Sequence, residues 1–171
     1  MCVVVSDASP LRYLILLRQA QVLHGLYGKV LVPQAVVDEL QRKQTPEPVR
    51  RWMSTPPSWL EVVQTIGKAY EEQGLDILGS GERQAIAVAQ HAGADLLLMD
   101  DREGVEEARR RGLTVIGTLG VLDLAAECGL IDLTEVLSQL RETNFRARPS
   151  PFKEMLRRDA KRKAGEPPTP E

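Results

Sequence analysis

Residues 95–122 read DLLLMDDREGVEEARRRGLTVIGTLGVL. The run Asp95–Met99 is short and apolar, the pattern of a strand buried on both faces. Asp100-Asp101 ends it, and residues 102–111 follow as a charged helix that Gly112 closes. Leu113–Ile116 is a second apolar strand, and Thr118 stands where a cap for a helix over Leu119–Cys128 belongs. Strand and helix alternate, which predicts an α/β fold with a parallel sheet and right-handed crossovers.

The same alternation extends outward in both directions. Upstream, Ser80-Gly81 opens an alanine-rich helix over Glu82–Ala92, and Gly93 closes it. At the N-terminus Cys2–Ser6 (CVVVS) is a β-branched strand, punctuated by Asp7-Ala8-Ser9-Pro10. Ser9 suits an N-cap and Pro10 the first helical position. Residues 11–26 carry a helical apolar pattern, in one piece or two, ending at Gly25 or Gly28. Val30–Val32 is a further strand, and Pro33 opens a helix to about Lys43 with Val36, Val37 and Leu40 inward. Thr45–Pro48 and Pro56-Pro57 frame a partly helical segment, and Trp59–Val63 reads as an edge strand. Downstream, a helix is expected at 132–142. From Phe152 to Lys163 six basic residues accompany only Glu154 and Asp159, and the chain ends on the proline-rich GEPPTPE, expected to be disordered. The organisation expected is one α/β domain over 1–145 with a basic helical extension over 146–171.

Composition removes several classes of chemistry. A chain of 171 residues has the size of one domain and buries enough surface to fold without staples. Two cysteines, Cys2 and Cys128, exclude a disulfide scaffold and a four-thiolate zinc site. Two histidines, His24 and His91, leave almost no room for an imidazole metal site or a Ser-His-Asp triad. A net charge of −2 gives no global basic field to hold a duplex. No apolar run reaches the ~18 residues of a membrane span, and no secretory leader is recognisable, so a cytoplasmic setting is expected. The chemistry must come from carboxylates.

In an open parallel sheet the ligand crevice lies outside the carboxyl ends of the strands. Asp7 follows the first strand there, and Asp100 and Asp101 follow the strand at 95–99. Each has an ordinary alternative as a turn or helix-cap residue, but two such strand ends at one edge favour a site. Glu82 stands in the first turn of its helix, where the dipole favours it, yet it shares the apolar face of Ala85, Ile86 and Ala89. A carboxylate so placed points to the sheet edge and is expected to find a cation partner. Glu39 lies on the border of its helix's inward face, whereas Asp38 points away. Several carboxylates converging in this way repel one another unless a cation joins them. Hard oxygen ligands select Mg²⁺ or Mn²⁺, whose remaining sites take a phosphate and a water.

Four segments, VVVSDASPL at 3–11, VLVPQAVVDEL at 30–40, GSGERQAIAVA at 79–89 and the stretch at 95–122, together resemble the PIN-domain ribonucleases, most closely the VapC-type toxin branch. The resemblance runs in family order over about residues 1–145 and implies a parallel sheet flanked by helices with an acidic cluster. By position, Asp7 matches the first family acid, Glu39 the second and Glu82 the third. For the fourth, Asp101 fits the spacing to the following helix while Asp100 ends the strand, and both are retained as metal-binding candidates. Ser9 and Thr118 match small polar positions near the site, with helix capping as their simpler role. Arg12, Arg83 and Arg102, beside the acids, are candidate phosphate contacts.

The resemblance implies Mg²⁺- or Mn²⁺-dependent hydrolysis of RNA phosphodiesters, leaving a 5′-phosphate and a 3′-hydroxyl. It also implies a cognate antitoxin protein and a homodimer. A receiver domain would need a lysine where Gly117-Thr118 stands, and a haloacid-dehalogenase-type enzyme would need a second Asp two residues after Asp7, where Ser9 stands. The remaining competitor is an inactive PIN-like module that binds RNA or protein. Occupation of all four acid positions favours the enzyme.

Overall fold

Five short strands form one parallel sheet in the computed structural model, which describes residues 2–65, 75 and 77–165. Of the proline-rich end expected to be disordered, residues 166–171 lie outside the described residues. In chain order the described elements are β1 (Val4–Ser6), α1 (Ala8–Leu16), α2 (Gln21–Tyr27), β2 (Val30–Pro33), α3 (Gln34–Leu40), α4 (Glu47–Ser54), β3 (Leu60–Val63), α5 (Ser80–His91), β4 (Leu96–Leu98), α6 (Arg102–Arg110), β5 (Val115–Ile116), α7 (Thr118–Glu127), α8 (Leu133–Arg141) and α9 (Pro149–Lys163). Packing divides them into two compact units, Met1–Thr118 with the sheet and Leu119–Glu171.

The spatial order is β3-β2-β1-β4-β5, with every pairing parallel. From β1 the chain moves outward through β2 to β3, then crosses back to lay β4 and β5 on the other side. The strand order therefore reverses between β1 and β4, the place where open α/β sheets receive ligands. Val4, Val5 and Ser6 stand in register with Leu96, Leu97 and Leu98. The Asp7 N–H continues that ladder to the Leu98 carbonyl at 2.9 Å, which fixes Asp7 at the carboxyl edge. β1 is buried on both faces, as its run of β-branched residues requires. One core cluster joins Val5, Leu97, Met99 and Val115 of the sheet region to Ala85, Ile86, Val88 and Ala89 of α5 and Ala108 of α6. The small side chains of α5 let that helix approach the strands closely.

Element positions follow the sequence reading to within a few residues, with instructive differences at the helix starts. α1 begins at Ala8, so Asp7 is its N-cap and Ser9 lies inside the first turn, contrary to the expected Ser9 cap. Pro10 then falls at the third helical position. It is tolerated because first-turn N–H groups have no intrahelical acceptor. α3 likewise begins after Pro33, which ends β2, and stops at Leu40 rather than near Lys43. There Thr45 Oγ1 donates to the Glu39 carbonyl at 3.1 Å and turns the chain away. The helical pattern at 11–26 is two helices, separated where Arg18 takes a left-handed φ of 57°. β3 forms one edge of the sheet, as the 59–63 run suggested, and β5 the other.

In the second unit α9 buries Phe152, Met155 and Asp159, and the Arg141 guanidinium lies 5.0 Å above the Phe152 ring. The basic side chains of α9 are largely engaged with acids of the same unit. Arg158 and Arg162 reach Asp123 at 2.7 and 3.2 Å, Arg162 also reaches Glu127 at 2.8 Å, and Lys163 reaches Asp159 at 2.9 Å. The segment that reads as a basic extension is thus a packed helix whose charge is mostly neutralised locally.

Candidate active site

Asp7 is 3% exposed, and its Oδ1 is buried with no hydrogen-bond partner. The local sequence removes one of the two usual donors. An N-cap carboxylate ordinarily accepts from the second or third helical N–H, but the third helical residue here is Pro10, which has none. Burial pushes the Asp7 carboxyl up to about 7; the Ala8 N–H opposes this, while Glu82, Glu39 and Asp100 add to it by repulsion. A buried carboxylate with an unused oxygen and three acidic neighbours is costly unless something positive meets it.

Glu39 and Glu82 come to this place from α3 and α5. Glu39 is half-buried and Asp38 exposed, which settles the borderline helix-face assignment in favour of Glu39. A β-carbon built on Gly81 would stand 2.7 Å from Glu39 Oε2 and 3.6 Å from Asp7 Oδ1, so both carboxylates converge on the start of α5. Glu82 is half-buried, and its Oε2 accepts from the Gly79 N–H at 3.0 Å. Gly79 has no side chain to return that bond, so only half of a capping box exists. Burial raises the Glu82 pKa; the Gly79 N–H lowers it, and Asp101, Glu39 and Glu103 raise it further. The cation expected beside Glu82 is not among these leading influences. Its strongest charged neighbours are acids.

Asp100 and Asp101 have different partners. Asp100 accepts the Thr118 N–H on Oδ1 at 2.7 Å and the Thr118 hydroxyl on Oδ2 at 2.6 Å. Burial raises its pKa against the lowering effect of both bonds. Asp101 is exposed and caps α6, its Oδ1 accepting from Glu103 and Gly104 N–H at 2.9 and 3.1 Å. Asp100 contributes to the charge around Asp7, and Asp101 to that around Glu82. Thr118 is not the external cap expected for α7. It is the first residue of that helix, fully buried, and it serves Asp100.

Among the described residues no three Asp, Glu, His or Cys side chains are already drawn into a metal-holding group. The residues nevertheless fit a hard divalent ion. Every donor is a carboxylate oxygen, Asp7 Oδ1 lacks a partner, and repulsion couples Asp7 to Glu39, Glu82 and Asp100. Of the nearby arginines, Arg102 pairs with Glu106 at 2.9 Å, and Arg12 is half-buried with its Nε unpartnered. Arg83 is half-buried on α5 directly after Glu82.

A neutral polar group that was not among the sequence-predicted residues stands at the same sheet edge. Gln64, just after β3, donates to Gln34 Oε1 at 2.9 Å at the end of β2, and Thr65 donates to Gln84 of α5. The signal was present, since Gln34 follows β2 as Asp7 follows β1. Among the described residues no helix is long and apolar enough to cross a membrane. A family model described as PIN domain matches residues 3–161. No curated protein matches the chain.

Proposed function

Because the chain belongs to the PIN-domain family, whose members are generally nucleases that use divalent metals, we propose that it is a Mg²⁺- or Mn²⁺-dependent endoribonuclease. The observation that carries this reading is Asp7: a buried carboxylate with an unpartnered oxygen, coupled to Glu39, Glu82 and Asp100. These four, with Asp101 beside them, are the residues that would hold the ion. When bound, the ion supplies an acidified water and neutralises charge on the phosphate oxygens.

The chain's own residues do the remaining work. Asp7 is fixed by the ladder bond of its N–H and presents Oδ1 inward. Thr118 holds both oxygens of Asp100. Glu82, half-buried and open to solvent, is the carboxylate suited to orient the attacking water. Repulsion within the cluster keeps RNA away from the bare site, so substrate binding depends on the ion and on nearby cations such as Arg12 and Arg83. The four-segment resemblance supports a place in the VapC-like branch, hence a toxin acting in the cytoplasm, a homodimer and an antitoxin partner.

The test is cleavage of a mixed RNA pool in EDTA, Mg²⁺ and Mn²⁺, with product ends mapped. Metal-dependent products bearing 5′-phosphate and 3′-hydroxyl, lost in Asp7→Asn, are expected. Absence of both cleavage and metal-linked stabilisation would leave an inactive RNA- or protein-binding module as the better account.

A further inference from the structure

Gly81 stands in the first turn of α5, where no backbone requirement calls for glycine. The positive-φ glycines among the described residues are Gly28, Gly93, Gly112, Gly129 and Gly165, so Gly81 has a conformation open to any residue. Alanine would also be the better helix former. What excludes a larger residue is space. A β-carbon at this position would meet Glu39 Oε2 at 2.7 Å, closer than van der Waals contact allows, with Val36 Cγ2 at 3.5 Å and Asp7 Oδ1 at 3.6 Å behind it. The group in the way is the end of a long side chain, so a methyl group here displaces a carboxylate and leaves the backbone in place.

We propose that Gly81 is a positioning residue, whose missing side chain sets where the Glu39 carboxylate rests beside Asp7 and thereby tunes the affinity of the cluster for a divalent ion. The proposal rests on the reading of these acids as a metal site. It gives Gly81 a role through Glu39 alone, which a general packing role would not.

That distinction sets the experiment. The full chain is melted in EDTA and across a Mn²⁺ titration, as wild type, Gly81→Ala, Glu39→Ala, the double variant and Asp7→Asn. Gly81→Ala should melt in EDTA no lower than wild type but need about tenfold more Mn²⁺ for the same rise, the scale on which displaced supporting groups weaken metal sites. In the Glu39→Ala background the added methyl group has no carboxylate to displace, so the double variant should respond to Mn²⁺ as Glu39→Ala does. A wild-type Mn²⁺ response in Gly81→Ala, with that of Asp7→Asn lost, overturns the role of Gly81 and leaves the metal site standing. The same holds if Gly81→Ala weakens the response equally in both backgrounds. A full response in Asp7→Asn instead brings down the metal-site reading, and this proposal with it.

Discussion

Thr118 donates to both oxygens of Asp100, its N–H to Oδ1 at 2.7 Å and its hydroxyl to Oδ2 at 2.6 Å. The two residues lie eighteen positions apart, brought together because β4 and β5 pair in parallel and end at the same edge. Thr118→Val keeps the shape and removes the hydroxyl. A hydrogen bond to a charged group is worth about 1.5–3 kcal/mol, so denaturant melts at pH 7 should show a loss of that order. Thr118→Ser should retain most of the stability, because it keeps the donor. A silent Thr118→Val would show that the hydroxyl bond adds nothing to the hold that the Thr118 N–H already has on Asp100.

Gly117 makes a related prediction. A β-carbon there would stand 2.5 Å from Asp100 Oδ1 and 3.5 Å from the Met99 carbonyl. Unlike Glu39, Asp100 is short and tied at both oxygens, so it cannot yield without giving up Thr118. Gly117→Ala should therefore lower the melting temperature in EDTA, whereas Gly81→Ala should not. Equal melting temperatures for the two variants would contradict this difference.

Asp7 is one of three site carboxylates, with Glu82 and Asp100, whose raised pKa makes stability depend on pH. Its folded-state pKa of about 7 lies above the ordinary 3.8, chiefly through burial, with repulsion from Glu82, Glu39 and Asp100 in addition. The native state thus holds the proton more tightly than the unfolded chain. This costs stability as pH rises from about 4, and the cost levels off above about 7. In EDTA the wild type should lose stability across that window more steeply than Asp7→Asn. Asp7→Asn should be the more stable at pH 7, with the gap closing toward pH 4. Asp38→Asn, at an exposed carboxylate that accepts from Gln34, is the control for loss of a charge outside the cluster and should be nearly silent at pH 7. Parallel pH curves for wild type and Asp7→Asn would refute the strained carboxylate.

Metal addition should reverse that cost. An ion that binds only the native cluster stabilises it by about 2.7 kcal/mol at a hundredfold excess over its dissociation constant. The gain should fade below about pH 5, where protons compete for the ligands. Thermal melts with Mg²⁺ and Mn²⁺ against EDTA, at pH 7.5 and pH 4.5, measure it. A melting temperature indifferent to both ions at neutral pH counts against the site.

The C-terminal helix should act on stability. Truncation after Arg146 removes Phe152 and Met155, both buried, and leaves Asp123 and Glu127 without Arg158 and Arg162. The truncated chain should melt lower and be cut by protease within 119–146. Because the cations of α9 are engaged with acids, RNA affinity at low salt, followed by fluorescence anisotropy, should change less than a solvated basic tail would require. An unchanged melting temperature with a large loss of affinity would instead mark this segment as a nucleic-acid-binding arm.

Much of this architecture was legible in the sequence because it depends on local pattern. β-branched runs closed by Asp, Gly and Pro marked the strands, apolar periodicity marked α3 and α5, and the acids after β1 and β4 pointed to one sheet edge. That Glu39 rather than Asp38 faces inward was a matter of helical angle, readable within a border. Other features were decided only by tertiary structure. Asp7 rather than Ser9 is the N-cap of α1 because the strand ladder holds the Asp7 N–H, and the helix begins directly after it at Ala8. Asp100 and Asp101 look alike in sequence, yet only Asp100 meets Thr118, which depends on the register of β4 against β5. The crowding of Glu39 on Gly81 follows from how α3 packs on α5, and the neutralisation of α9 from which acids face it. Propensity and periodicity act over a few residues and are written in the chain. A contact between side chains on separate elements depends on register and packing distance, to within about an ångström, and those emerge only when the elements close on one another.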